Sequence, residues 1–208
     1  MIYYVIPARK GSKDLPLKNR KLFEATAKTV SDLYSTVIVS TDDSKIKKIA
    51  RKDYRFDVRN RPANLATDEA STRGVLIDVA KKSHLRGHDI IIMLYLTYPE
   101  RTRKTIEDGF EYFIESGAKS MLCGIEPKTH PFMCIYEDGR QIVEHDLCRR
   151  QEYPTVFEIS HLIFISYVSE LDKLNRNLYN DDTIFWKHDR LTDIDTEKDL
   201  NVFTNKKR

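Results

Sequence analysis

The sequence predicts an α/β domain with a mixed, mostly parallel sheet and helices on its faces, on three observations. Short apolar runs alternate with segments of helical period along most of the chain. Several runs, such as Ile90 to Leu96, are continuously apolar, as strands buried on both faces must be. A basic, glycine-bearing loop follows the first run, at the carboxyl end of a strand where such sheets bind ligands. At 208 residues the chain is expected to fold as one domain, 1–208, large enough to bury a core without metals or disulfides.

The first strand is read at Ile2 to Ile6, which starts without the basic and long apolar regions of a targeting signal. Glu24 to Leu33 makes a short helix, Thr36 to Ser40 a second strand, and Ser44 to Lys52 a helix capped by the Thr41-Asp42-Asp43 cluster. Val75, Leu76, Val79 and Ala80 share a helical face. Ile90 to Leu96 is a strand, too short to cross a bilayer as a helix. Thr102 caps a helix carrying Ile106, Gly109, Phe110, Phe113 and Ile114, which Gly117 ends. Ser120 to Ile125 and Leu162 to Ser166 are further strands. Lys128 to Pro154, with prolines and Asp-Gly at 138–139, reads as loops or hairpins, so residues 128–160 are expected to form a small lobe.

Composition narrows the function. The chain holds 35 basic and 32 acidic residues, a net charge of +3, which lacks the basic excess of a nucleic-acid binder and fits a local basic pocket for a small anion. Three cysteines at 123, 134 and 148 follow no metal or disulfide spacing and read as reduced thiols of a cytoplasmic protein with no membrane segment. Histidines 84, 88, 145 and 188 show no metal spacing and read as mostly surface groups, while His130 and His161 are placed nearer the site.

The basic loop runs Pro7-Ala8-Arg9-Lys10-Gly11-Ser12-Lys13-Asp14-Leu15-Pro16-Leu17-Lys18-Asn19. Gly11 permits close backbone approach, amides and Ser12 donate to phosphate oxygens, and Arg9, Lys13 and Lys18 neutralise a triphosphate. The loop is neither a Walker A sequence nor a G-x-G-x-x-G fingerprint. Downstream, Asp193 and Asp195 stand at i and i+2, which on a strand turns both carboxylates to one face where they share a hard cation.

IPARKGSKDLPLKN is similar to the I-P-A-R-x-x-S-K-x-x-x-x-K-N signature that opens the acylneuraminate cytidylyltransferases. Four further segments resemble that family in the same order: Val37 to Asp43, Arg61 to Thr72, Leu94 to Thr102 (against L-Q-P-T-S-P-L-R-T), and Leu191 to Leu200. The resemblance implies a Rossmann-like three-layer nucleotidyltransferase fold and transfer of CMP from CTP to the anomeric hydroxyl of a sialic-acid-like α-keto sugar. It implies CTP phosphate contacts at Arg9, Ser12, Lys13 and Lys18, a nucleoside contact at Asn19, and a cytosine pocket of Arg61, Ala70 and Thr72. Tyr95, Thr97, Arg101 and Arg150 are expected on the acceptor, Asp193 and Asp195 on Mg²⁺, with Arg9, Lys13, Lys18 and Asp195 catalytic. A homodimer that shares the 128–160 lobe between acceptor pockets is implied as well.

Departures gather on the acceptor side. Tyr95 replaces a glutamine, Met133 a lysine, and Phe157-Glu158-Ile159-Ser160-His161 stands where F-R-P-N-G is usual. The alternatives are therefore another acceptor, such as 3-deoxy-manno-octulosonate, a pseudaminic or legionaminic acid or a sugar phosphate, and a non-catalytic nucleotide-binding protein.

Overall fold

Seven strands form one mixed sheet in the order β3-β2-β1-β4-β6-β5-β7. They are β1 (Ile2–Pro7), β2 (Thr36–Thr41), β3 (Asp57–Asn60), β4 (Ile90–Met93), β5 (Ser120–Ile125), β6 (Glu158–Tyr167) and β7 (Ile184–Lys187). The computed structural model describes residues 1–33 and 35–206. β1 lies parallel to β2 and β4, β2 to β3, and β5 to β7, while β6 runs antiparallel to both β4 and β5. The sheet is thus mostly parallel, with one reversed strand inside it.

Alternation along the strands divides the core between two faces. Tyr4 and Ile6 pack on one side with Ile92 and Val39; Val5 packs on the other with Ile38, Ile91 and Met93. The first face is covered by Leu22 and Phe23 of α1 (Lys18–Val30), Ile46 of α2 (Ser44–Lys52), Ile106 and Phe113 of α4 (Arg103–Ser116) and Phe203 of α5 (Glu197–Lys206). The second is covered by Leu76 and Val79 of α3 (Thr72–Lys82) and by Leu171 in a 3-10 segment that lies against it. Three layers result.

Local chemistry explains the helix ends. Asp43 caps α2, its Oδ1 accepting from the Lys45 and Ile46 amides at 2.8 and 3.3 Å. Ser71 caps α3 through the Gly74 amide, and Thr102 caps α4 through the Thr105 amide, each bond worth about 1 kcal/mol. Gly117 ends α4 at φ 66°, a left-handed conformation that glycine adopts without steric cost.

The structure corrects the sequence reading in four places. Helix α1 begins at Lys18, not Glu24, so Lys18 and Asn19 stand on its first turn. Strand β4 stops at Met93, and residues 94–102 leave the sheet as an irregular segment. The edge strands β3 and β7 lacked a legible pattern, being four residues each with mixed exposure. Asp193 and Asp195 lie on no strand; both are exposed, while Ile194 between them is fully buried and its amide donates to the Thr97 carbonyl at 2.8 Å.

Candidate nucleotide site

A cleft of about 240 Å³ opens at the carboxyl ends of β1 and β4. The loop after β1, the start of α1, the 61–75 segment and the 95–97 segment line it. This is the crevice where adjacent strands of a parallel sheet send their connections to opposite sides. Of the residues expected there, Arg9, Ser12, Lys18, Asn19, Arg61, Ala70, Thr72, Tyr95 and Thr97 all line the cleft.

The loop is held as a shaped wall. Its Ala8 amide donates to the Ser40 carbonyl at 2.9 Å, its Lys10 amide to Asp42 at 2.7 Å, and Asn19 Nδ2 to the Arg9 carbonyl at 2.8 Å. Leu17, at φ 58°, turns the chain so that α1 starts with Lys18 and Asn19 facing the cleft. A Cβ placed on Gly11 would meet nothing within 4 Å, so the space beside that backbone is free for a ligand. Asp43, buried, takes Arg20 Nε at 2.6 Å as well as the two cap amides. Burial pushes its carboxyl pKa up, and these donors outweigh that and hold it below the ordinary value. Asp42 and Asp43 therefore hold the loop and α2 in place.

In the floor, Arg61 is 9% exposed and donates from Nε to Ser40 at 3.4 Å. Its buried Nη2 has no protein partner. Burial lowers its pKa to about 10, so the guanidinium stays charged at neutral pH. A buried donor without an acceptor costs about 1–3 kcal/mol, which a ligand carbonyl in the cleft would recover. Tyr95 closes the neighbouring wall, its hydroxyl donating to Thr72 Oγ1 at 2.8 Å.

The cations already have carboxylate partners. Arg9 and Lys13 both pair with Asp68, and Lys18 Nζ lies 2.6 Å from Asp195. Asp68 was not singled out by sequence, although it sits inside the Arg61 to Thr72 motif; its pairing across 59 residues is a tertiary fact. Lys13 is 72% exposed and stands outside the cleft lining, within reach of its rim. Such exposed pairs are worth about 1 kcal/mol or less, so a triphosphate would displace them readily.

The aspartate pair is not part of the cleft lining, and Asp195 reaches the cleft through its bond to Lys18. Asp193 accepts from the Tyr98 hydroxyl at 2.8 Å and from Thr97. Partial desolvation, and to a lesser degree the charge of Asp195, raise its pKa despite those two bonds and the nearby Lys18. Among the described residues no group of three or more His, Cys, Asp or Glu side chains forms a metal cage. Two carboxylates that leave the other positions to phosphate oxygens and water suit a hard divalent cation. The residues present fit such an ion.

Two expected acceptor residues are placed elsewhere. Arg101 is 3% exposed and lies beneath the site, donating to the carbonyls of Leu162 at 2.7 Å and Tyr95 at 3.0 Å and to Thr26 Oγ1 at 3.1 Å. Burial lowers its pKa to about 9, and its bonds make it a brace for the segment that carries Tyr95 and Thr97. Arg150 sits exposed on a 3-10 turn of the lobe, outside the cleft. A second cavity of about 280 Å³ adjoins the first across Ala70, Thr72 and Tyr95. It holds His161, whose ring centroid lies 5.3 Å from that of Tyr95, and Arg176, which sequence reasoning missed because its loop carries no motif.

A three-layer sheet fold with a cationic nucleotide-sized cleft beside paired carboxylates defines a nucleotidyltransferase. The sequence model described as cytidylyltransferase matches residues 3–128, and the chain belongs to that family, whose members are CTP-dependent. It is 27% identical over 218 aligned positions to post-translational flagellin modification protein B of Campylobacter coli, covering 97% of this chain and 92% of that protein. It is 26% identical to the CMP-N,N'-diacetyllegionaminic acid synthase of Legionella pneumophila over 197 positions, 88% of this chain and 84% of that one. The solved structure of a CMP:2-keto-3-deoxy-manno-octonic acid synthetase complexed with CTP superposes with a TM-score of 0.68 at 15% identity, over 100% of this chain and 99% of the other, a likeness of fold.

Proposed function

We propose that this cytidylyltransferase transfers CMP from CTP to the anomeric hydroxyl of an acidic α-keto sugar, releasing pyrophosphate, with Mg²⁺ as its cation. The observation that carries the reading is the partnerless Arg61 Nη2 in the floor of a cleft lined by Arg9 and Lys18, the latter paired with Asp195. Cytosine offers Arg61 two acceptors, its O2 carbonyl and its unprotonated N3, whereas uracil carries a donor at N3 that leaves the guanidinium imperfectly paired. Ala70 and Thr72 bound the same base pocket, and Asn19 orients the nucleoside.

Arg9, Ser12, Lys13 and Lys18 bind the triphosphate, Arg9 and Lys13 leaving Asp68 and Lys18 leaving Asp195 to do so. Mg²⁺ held by Asp193 and Asp195 would neutralise charge on the phosphates. The new bond joins the sugar oxygen to the α-phosphorus, the α–β anhydride bond breaks, and the hydroxyl proton passes to Asp195. Positioning and electrostatic stabilisation supply most of the acceleration.

The adjoining cavity with His161 and Arg176 is the acceptor space in this reading, with Tyr95 and Thr97 on its boundary. Relatives named for pseudaminic and legionaminic acids support an acceptor of that type, in line with the changes at Tyr95, Met133 and Ser160. The lobe exposes Met133, Ile135, Tyr136, Ile142 and Val143, which supports a homodimer that covers them and brings Arg150 toward the partner's acceptor. The three free cysteines suit a reducing cytoplasm.

Pyrophosphate release from the four nucleoside triphosphates, with Mg²⁺ and a panel of acidic α-keto sugars, tests the proposal. The expected outcome is CTP-specific release that requires a sugar and falls at least about a hundredfold in Asp195→Ala. CTP binding without turnover on every sugar would overturn the transferase reading.

A further inference from the structure

The family pattern leaves an acidic acceptor short of a cation in this chain. Met133 stands where the family has a lysine, and Glu158 where F-R-P-N-G has its arginine. Arg101 is buried beneath the site, and Arg150 lies outside the cleft. Within one chain, the cavity that adjoins the nucleotide cleft supplies a cation instead, since Arg176 is its single cationic lining residue. Burial lowers the pKa of His161 in the same lining and keeps its ring uncharged at neutral pH.

Arg176 differs from the cations around the cleft. Arg9, Lys13 and Lys18 each face a carboxylate. Arg176 donates from Nη2 to the Glu69 backbone carbonyl at 2.6 Å and, among the described residues, pairs with no carboxylate. A neutral carbonyl occupies one N–H and leaves the charge unmatched. The turn that carries Arg176 is fixed. Leu174 and Leu178 on either side are each 1% exposed, and Asn175 Oδ1 accepts from the Asn177 and Tyr179 amides at 2.8 and 3.3 Å. Arg73 of α3 donates to the Leu174 carbonyl, which ties the turn to the helix that starts at the base pocket. A guanidinium held on a fixed turn beside an open cavity is preorganised for an anion. Asp68 and Glu69 line the same cavity and accept hydrogen bonds. The lining therefore matches a molecule with one carboxylate and several O–H or N–H donors, as an acidic sugar has.

We propose that Arg176 binds the carboxylate of the acceptor sugar through the edge of its guanidinium that Glu69 leaves free, and so takes the place of the lysine and arginine that this chain lacks. The inference rests on the reading of this cavity as the acceptor space.

Pyrophosphate release tests it, measured with CTP, Mg²⁺ and whichever of N,N'-diacetyllegionaminate, pseudaminate and 3-deoxy-manno-octulosonate the wild type uses, and with the methyl ester of that sugar. Arg176→Gln can still donate to the Glu69 carbonyl but carries no charge. It is expected to raise the KM for the acid about thirtyfold, the loss of a charge-assisted pair, with kcat and the KM for CTP unchanged within about twofold. The ester, which lacks the anion, is expected to have the same KM in both proteins. Arg176→Lys, a point charge without the planar fork, is expected to recover part of the affinity. Arg176 is exposed, so these variants keep the fold, and a thermal melt verifies it. A KM for the acid within about twofold of wild type in Arg176→Gln, or an equal rise for acid and ester, overturns the assignment. Wild-type protein that turns over none of these sugars overturns the acceptor reading beneath it, a distinct failure.

Discussion

The nucleotide cleft and the 128–160 lobe are built in opposite ways. In the cleft, the loop after β1 is tied down by the Ser40 carbonyl, Asp42 and Asn19, and its floor is a buried arginine. In the lobe, the ordered elements before β6 are 3-10 turns at 131–133 and 150–152 and an isolated bridge between Ile135 and Gln141. Its packing is a small aromatic group in which Phe132 stacks on His145 with centroids 4.2 Å apart and meets Tyr153 edge-on at 5.2 Å. Ile135 remains 64% exposed. The cleft is preorganised within one chain, whereas the lobe leaves apolar surface exposed.

The largest effect that would sharpen this contrast lies in the cleft floor. Arg61→Ala is expected to raise the KM for CTP about a hundredfold, which is about 2.7 kcal/mol for one charge-assisted bond, and to narrow the preference over UTP. Steady-state kinetics on both nucleotides measures it; a KM unchanged within twofold would remove Arg61 from the base pocket.

Arg101 divides support from contact. Arg101→Met leaves the Leu162 and Tyr95 carbonyls and Thr26 without their donor, and is expected to cost about 3 kcal/mol of stability in urea unfolding. A stable variant that lost only affinity for the sugar would return Arg101 to the acceptor site.

For the lobe, the double variant Ile135→Glu with Ile142→Glu is expected to shift the mass in light scattering from dimer to monomer. CTP affinity measured by calorimetry should stay within about twofold, since surface changes away from a site are worth roughly 0.5 kcal/mol or less. Loss of CTP binding in the monomer would break the comparison by showing that the nucleotide half also depends on a partner.

The smallest effect concerns backbone strain at the cleft. Leu17 is 41% exposed at φ 58°, a conformation that costs a non-glycine residue about 1 kcal/mol. Leu17→Gly removes that cost and adds flexibility to the unfolded chain, so stability should rise by less than about 1 kcal/mol. A fall in the midpoint would show that the leucine side chain matters more than its backbone.

Much of the framework was legible because its causes are local. The caps at Asp43 and Thr102, the αL end at Gly117 and the apolar runs of β1, β2 and β5 are set by neighbouring residues in the sequence. The cleft lining was legible for a second reason, since Arg9, Ser12, Lys18 and Asn19 form one short motif and Arg61, Ala70 and Thr72 another. The short edge strands escaped, because four residues with one exposed face carry little periodic signal.

By itself, then, the sequence determined the α/β layering, the order of the main elements and the chemistry of the nucleotide loop, all of which depend on spacing within a few turns of chain. Only the tertiary structure decided that Arg101 braces the site from below, that Asp68 pairs with Arg9 and Lys13, and that the Tyr98 hydroxyl bonds Asp193. Those contacts join residues 55 to 95 positions apart, and burial and hydrogen-bond direction across such separations are fixed by strand pairing and helix packing that no local pattern records.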